Sequence, residues 1–186
     1  CRLHNIQACR LISEKEECDM SKLEFDKLRI DVWISGSVDQ EGNGGYCALL
    51  YSQLEGKPYT KTIGGYGKNT TLTRMHLKAI VDALTLIKSP SFIHIYTQLP
   101  QISSGLNKYI YEWEKQEWKR KDGEDLQHAD LWERIYILIK EKSIGYKVHY
   151  LKQSNIDLNT KMYLIHRSAE FLSRAKKQML EVSLPI

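Results

Sequence analysis

One stretch of the sequence combines aromatic and basic side chains in a way that suits binding to nucleic acid. Its aromatic residues are Tyr109, Trp113 and Trp118. Three consecutive cations follow: Lys119, Arg120 and Lys121. Cations neutralise backbone phosphates, and aromatic rings stack on bases. The alternative is that the aromatic residues pack a helix onto the protein body. Interspersed glutamates (Glu112, Glu114, Glu117) also dilute the positive charge. We therefore favour packing for the aromatic residues and expect this stretch to bind phosphate less strongly than a wholly basic one would.

Three of the four cysteines fall within the first eighteen residues, beside a histidine. These side chains are of types that bind zinc: Cys1, His4, Cys9 and Cys18. Their spacings match no common zinc module, and no Cys-x-x-Cys pair is present. We expect free thiols in a reducing compartment and no metal, which predicts a cytoplasmic protein.

The bulk properties set only broad limits. The 186 residues are enough for one well-buried domain, and the net charge of +4 permits a polyanionic partner without requiring one. No apolar run approaches the roughly 20 residues that cross a bilayer, and the first residues do not resemble a secretory signal, so we expect no membrane association. The sequence starts without methionine, as a fragment or a processed product would.

The hydrophobic pattern divides the chain into three parts. Residues 1–27 read as a helical appendage, with Ser13 and Glu16 as a capping box. From residue 28 an antiparallel meander of three strands is predicted, followed by alternating helices and strands up to residue 175. Residues 176–186 are predicted to be a C-terminal tail or the end of the last helix. This order predicts an α/β domain with a mixed sheet covered by helices.

Several segments, in the correct order, resemble the bacterial type 1 ribonuclease H family. They are GSVDQEGNGGYCALL (36–50), TTLTRMHLKAIVDAL (70–84), the stretch 109–121 and HADLWERI (128–135). The stretch 109–121 is similar to the protrusion called the handle, and it has that name below. The resemblance covers residues 28–175 and implies a ribonuclease H-like fold, with a five-stranded mixed sheet, helices on both faces and the handle.

The resemblance also implies where catalytic groups would lie. The family cleaves the RNA strand of an RNA–DNA hybrid with two Mg²⁺ ions held by four carboxylates. In this chain the four matching positions are Ser35, His76, Gln98 and His166, and the family's mobile histidine matches Ser154. Magnesium requires hard oxygen ligands with compensating charge, which this set lacks. We therefore predict a catalytically inactive member without the Mg²⁺ site.

Two ways of rebuilding a metal site are less favoured. Asp39, Glu41 or Asp157 could supply carboxylates from neighbouring loops, whereas Asp31 lies about 13 Å from Ser35 along the strand. His76 and His166 could bind zinc with a third ligand. We prefer the simpler interpretation, in which these side chains fill and hydrogen-bond a former active site.

The resemblance also implies that part of the family's nucleic-acid-binding surface is retained. Thr71 and Arg74 match the helix start at which the family holds a DNA phosphate, and Asn43 matches a contact to a 2′-hydroxyl. Leu72 and Thr73 replace the asparagines between them. With Trp113, Trp118 and the three handle cations, these residues form the predicted surface for a hybrid or duplex. Two hypotheses follow: an inactive nucleic-acid-binding or tethering module, or a protein-interaction scaffold in a larger polypeptide or complex.

Overall fold

The computed structural model describes residues 28–88, 90–152 and 164–174. The predicted appendage 1–27 with its cysteines and capping box, the position of Ser154 and the tail 176–186 lie outside the described residues. In the part of the chain that the structure describes, no helix has the length and apolar character needed to cross a membrane.

Five strands form one mixed sheet. They are β1 (Leu28–Val38), β2 (Gly44–Leu54), β3 (Lys57–Gly67), β4 (Ser91–Thr97) and β5 (Gly145–Tyr150). The order across the sheet is β3-β2-β1-β4-β5; β1 pairs with β2 and β2 with β3 antiparallel, while β4 is parallel to both β1 and β5. The predicted meander and the mixed five-stranded sheet are confirmed.

The helices divide between the two faces of the sheet. Their bounds are α1 (Leu72–Leu86), α2 (Pro100–Ser104), α3 (Ile110–Lys115), α4 (Ala129–Glu141) and α5 (residues 164–174), with a π-helical segment (Gly105–Tyr109) between α2 and α3. The helices α1 and α4 pack in the main core with Ile30, Val32 and Ile34 of β1. On the opposite face, α5 packs against Trp33 and Cys47. Helices on both faces are therefore confirmed.

The central strand explains why both faces need a cover. Successive side chains of a strand point to opposite faces, so Val32 and Ile34 enter the main core while Trp33 faces α5. All three are buried. A strand of this kind is apolar on both faces. The alternation along it determines which side chains face the main core and which face α5.

Helix α1 has a defined cap at each end. The Thr71 hydroxyl accepts a hydrogen bond from the Arg74 amide at the N-terminus, as Ser and Thr commonly do at helix starts. At the C-terminus the Lys142 ammonium donates to the carbonyls of Leu84, Thr85 and Ile87 at 2.6–2.8 Å. These bonds fix α1 against the end of α4, and so fix the residues near its start.

Candidate functional site

Strand β1 carries Ser35, and helix α1 places His76 against the next residue of that strand, Gly36. Ser35 pairs with Cys47 across β1 and β2 and is fully buried. His76, in the first turns of α1, lies against Gly36: a Cβ on that glycine would be 2.9 Å from the imidazole Cδ2. The absence of a side chain at Gly36 therefore lets the imidazole approach the strand.

Helix α5 brings the third residue by resting on glycines. A Cβ on Gly45 would lie 2.2 Å from the Ala169 carbonyl oxygen, and one on Gly64 would lie 2.7 Å from the Leu172 side chain. Since Cβ atoms do not approach other atoms so closely, only glycine permits this contact. The close contact carries His166 on α5 to Ser35 on β1.

Ser35, His166 and Glu170 lie in a row that runs from β1 to α5. The Ser35 hydroxyl lies 3.1 Å from the His166 Nδ1, and the His166 Nε2 lies 3.5 Å from a carboxylate oxygen of Glu170, one helical turn away. Arg167 holds the other oxygen of Glu170 at 2.7 Å. The row joins β1 to α5 through the Ser35–His166 hydrogen bond, with the Glu170 carboxylate facing the other imidazole nitrogen.

The His76 imidazole is held in its neutral form. Only 2% of this residue is exposed, and burial, with a smaller effect of His166, lowers its pKa from 6.5 to about 3. Within the described residues its Nδ1 is buried without a hydrogen-bond partner. A buried imidazole without an anion beside it cannot hold a proton near neutral pH.

Gln98 completes the set that we call the central cluster: Ser35, His76, Gln98 and His166. Gln98 follows the end of β4, two residues beyond Tyr96. On β1, Ser35 likewise lies two residues beyond Trp33, which pairs with Tyr96 in the sheet. The side-chain nitrogen of Gln98 is buried with no partner among the described residues. The fold therefore places Gln98 at the end of the sheet that carries Ser35.

The central cluster does not fit a pair of magnesium ions. Its donors are a hydroxyl, an amide and two imidazoles, one of them buried and neutral, whereas Mg²⁺ binds carboxylates and other hard oxygens. Over the described ranges 28–88, 90–152 and 164–174 there is no group of three or more histidine, cysteine and acidic side chains placed to hold a metal ion. Asp157, a candidate for a rebuilt site, lies outside those ranges.

Asp39, another candidate ligand, is used to build the turn between β1 and β2. Its carboxylate accepts hydrogen bonds from the amides of Glu41 and Asn43 at 3.0 and 2.8 Å and from the Asn43 side chain at 3.1 Å. Asn43 is 9% exposed. One side-chain N–H of Asn43, the residue predicted to contact a 2′-hydroxyl, is thus donated within the protein.

The predicted phosphate corner at the start of α1 contains a residue that sequence reasoning missed. Arg74 donates two hydrogen bonds to Asp130 on α4, at 3.0 and 2.6 Å. This contact raises the pKa of Arg74 and lowers that of Asp130. The Thr71 hydroxyl lies 3.4 Å from the Nε2 of His128, whose pKa burial lowers. The Arg74–Asp130 pair uses two of the five guanidinium N–H groups of Arg74.

The handle separates into packed aromatic rings and exposed cations. Trp113 lies on Trp132, at 5.1 Å between ring centroids, and Trp118 lies edge-on to Tyr136 at 5.7 Å. Both tryptophans are half-buried against the main core. The cations Lys119, Arg120 and Lys121 are exposed, and Arg120 pairs with Asp122 at 2.8 Å. This agrees with the packing interpretation of the aromatic residues.

The acidic partners of His166 and Arg74 were predictable from the sequence to different degrees. Glu170 lies four residues after His166, a spacing that places two side chains on one helix face. Asp130 lies within the HADLW segment but 56 residues from Arg74, and no local pattern predicts their pairing.

Comparisons with known proteins agree with this architecture. The family model described as RNase H matches residues 29–152. The ribonuclease H of Caldicellulosiruptor saccharolyticus is 33% identical over 107 residues, which are 57% of this chain and 71% of the relative. A ribonuclease H of Haemophilus influenzae is 32% identical over 120 residues, 64% of this chain and 75% of the relative.

Two solved structures share the fold at low sequence identity. LC9-RNase H1, a type 1 RNase H with the type 2 active-site motif, superposes with a TM-score of 0.65 at 16% identity, over 80% of this chain and 74% of that one. The foamy viral protease-reverse transcriptase in complex with RNA/DNA hybrid gives 0.61 at 13% identity, over 87% of this chain and 21% of that one.

Proposed function

The chain belongs to the ribonuclease H family, and on that basis we propose that it is a member that binds a nucleic-acid duplex without cleaving it. The partner class is an RNA–DNA hybrid or another duplex, contacted mainly through its phosphates. The module would tether or recognise such a duplex, and it requires no metal.

The central cluster is the observation that carries this proposal. Two-metal hydrolysis needs several negative charges around the ions, and here Ser35 is buried and bonded to His166 while His76 is buried and neutral. Burial keeps the His76 imidazole neutral, so it brings no negative charge that could offset a magnesium ion.

Exposed cations support the binding part of the proposal. Lys119, Arg120 and Lys121 are exposed on the handle, and Arg74 lies 38% exposed at the start of α1. A structural relative, the foamy viral protease-reverse transcriptase, has been solved with an RNA/DNA hybrid. Because Asp122 and Asp130 pair with Arg120 and Arg74, we expect weak binding that is dominated by phosphate contacts and weakens further as the salt concentration rises.

The first experiment measures cleavage and binding together. Labelled hybrid, double-stranded RNA and DNA duplexes are titrated at two salt concentrations with Mg²⁺ or Mn²⁺, and products are followed on gels. We expect binding without product. The triple variant Lys119→Ala, Arg120→Ala and Lys121→Ala should bind less and lower the log–log salt slope by about 0.9 for each lost contact. Metal-dependent product that disappears in Asp39→Asn or Asp157→Asn would instead reveal a rebuilt site.

The Arg74–Asp130 pair provides a second, opposite test. Arg74→Ala should weaken binding by roughly 1–2 kcal/mol if its free N–H groups hold a phosphate. Asp130→Asn should strengthen binding, because a phosphate on the far side of the guanidinium would lie about 6 Å from the carboxylate. Repulsion over that distance in water is about 0.7 kcal/mol, or about threefold in Kd.

A matched control separates this local effect from overall charge. Glu141→Gln removes one negative charge from the other end of α4, about 16 Å away along the helix, which exceeds the screening length at 0.1 M salt. We expect Glu141→Gln to leave Kd unchanged. If Asp130→Asn and Glu141→Gln change Kd equally, Arg74 does not contact the duplex.

The second candidate function is a protein-interaction scaffold. The exposed apolar side chains of α5 favour it, since Phe171 is 70% exposed and Leu164 is 54% exposed on neighbouring turns of that helix. The engagement of Arg74 and of both handle tryptophans inside the protein also favours it. If the wild-type chain binds no duplex at low salt, the scaffold replaces the binding module.

A further inference from the structure

One end of the sheet carries an apolar groove on the side of α1. The helix ends at Leu86, and beyond it lies a cavity of about 380 Å³ lined mainly by apolar surface. Leu28, Ile30 and Leu50 form its floor, and Tyr59 and Lys61 of β3 and Lys88 form its rim. Tyr59 is 52% exposed. No described helix covers this part of the sheet face.

The chain enters β1 at this groove. Leu28, the first residue of β1, lines the cavity itself. A chain spans at most about 3.6 Å per residue, so Phe25 lies within about 11 Å of Leu28 and Leu23 within about 18 Å. Residues just before β1 are therefore held near the groove at a high effective concentration.

The charge of those residues is opposite to that of the rim. Residues 13–26, SEKEECDMSKLEFD, contain six acidic residues against two lysines, and their apolar side chains are Met20, Leu23 and Phe25. In the described part of the chain neither Lys61 nor Lys88 lies in an ion pair. An acidic segment with apolar side chains thus matches an apolar groove with a cationic rim.

We propose that residues 13–26 dock in this groove, with Leu23 and Phe25 on its apolar floor and the neighbouring acids facing Lys61 and Lys88. The appendage is then part of the domain, and it covers the sheet face beyond the end of α1. This inference is independent of duplex binding, because neither the central cluster nor the handle takes part.

Photocrosslinking in the full chain tests the proposal. Tyr59 is replaced by p-benzoyl-phenylalanine, and crosslinked peptides are mapped by mass spectrometry. The control places the same group at Tyr66, which is also 52% exposed on β3 but, seven residues away, points to the opposite face. We expect position 59 to crosslink within one chain to residues 13–26 and position 66 not to do so.

Charge reversal tests the match between segment and rim. Lys61→Glu with Lys88→Glu should lower the crosslink yield at least fivefold, and Glu24→Lys with Asp26→Lys should restore it in the same background. Reversal of Lys119 and Lys121 on the handle serves as the control: it should leave the crosslink yield unchanged, although it should weaken duplex binding. Crosslinks between two chains, crosslinks from position 59 to other segments only, or a yield unaffected by charge reversal would each overturn the proposal.

Discussion

The buried His76 imidazole predicts an acid-sensitive stability that one substitution should remove. Its folded-state pKa is about 3, below the 6.5 of an unfolded chain. The unfolded chain therefore binds more protons between these values, and stability falls as the pH decreases from about 6.5 towards 3. His76→Leu fills the site with an apolar side chain that cannot titrate and should abolish this component.

The expected size follows from the two pKa values. A pH of 5 is about 1.5 units below the pKa of His76 in the unfolded chain and still above its pKa in the folded protein. At 1.36 kcal/mol per unit, His76 costs about 2 kcal/mol at pH 5 relative to pH 7. The Arg74–Asp130 pair acts in a separate window: Asp130, with its pKa lowered by Arg74, loses its contribution as the pH falls below about 4.

Urea unfolding at pH 7 and pH 5 measures the effect. Burial also lowers the pKa of His128 and His149, so the wild type retains some pH dependence from them, and the difference between wild type and variant is the quantity to compare. Met75→Leu, a substitution at the neighbouring buried position, is the control and should keep the full dependence. If His76→Leu keeps it as well, His76 is not held neutral and our account of the central cluster is wrong.

Three further substitutions test how the site is positioned. Gly45→Ala should displace α5 and lower the melting temperature. Gly67→Ala should be tolerated in the same thermal scan, because its Cβ would come closest to the flexible end of the Met75 side chain, at 3.1 Å. Lys142→Met should destabilise by about 1–3 kcal/mol in urea unfolding, because it leaves the carbonyls at the end of α1 without their charged donor. Trp113→Ala should lower stability by about 2 kcal/mol with little change in the salt slope of duplex binding, since its ring packs on Trp132; a lost slope would make it a binding residue.

Much of the fold was predictable because local patterns and strand order agree. The alternation of Ile30, Val32 and Ile34 identifies β1, and the turn residues around Gly42 separate it from β2. Thr71 marks the start of α1 through its capping position. Each of these signals lies within a few residues of the feature it predicts.

Contacts between distant segments could not be predicted in the same way. The Arg74–Asp130 pair joins residues 56 apart, and the Ser35–His166 hydrogen bond joins residues 131 apart. The glycines under α5 were visible, but only the packing shows that Gly45 and Gly64 face a helix. Geometry between elements depends on such contacts, and a single sequence does not encode them in any local pattern.

The composition of the central cluster leads to one more prediction, which concerns metal ions. Four carboxylates crowded into one site repel each other, at about 4 kcal/mol for a pair 4 Å apart at an effective dielectric constant of 20, so such a site is stabilised by cations. Ser35 and His166 instead form a hydrogen bond that needs no cation. We therefore expect the melting temperature to be the same in EDTA and in millimolar Mg²⁺. Ser35→Asp combined with His166→Asp should be destabilised in EDTA and partly rescued by Mg²⁺, because the restored charges repel each other until a cation lies between them. A wild-type chain that gains stability from Mg²⁺ would contradict this account of the central cluster and would indicate that it binds metal.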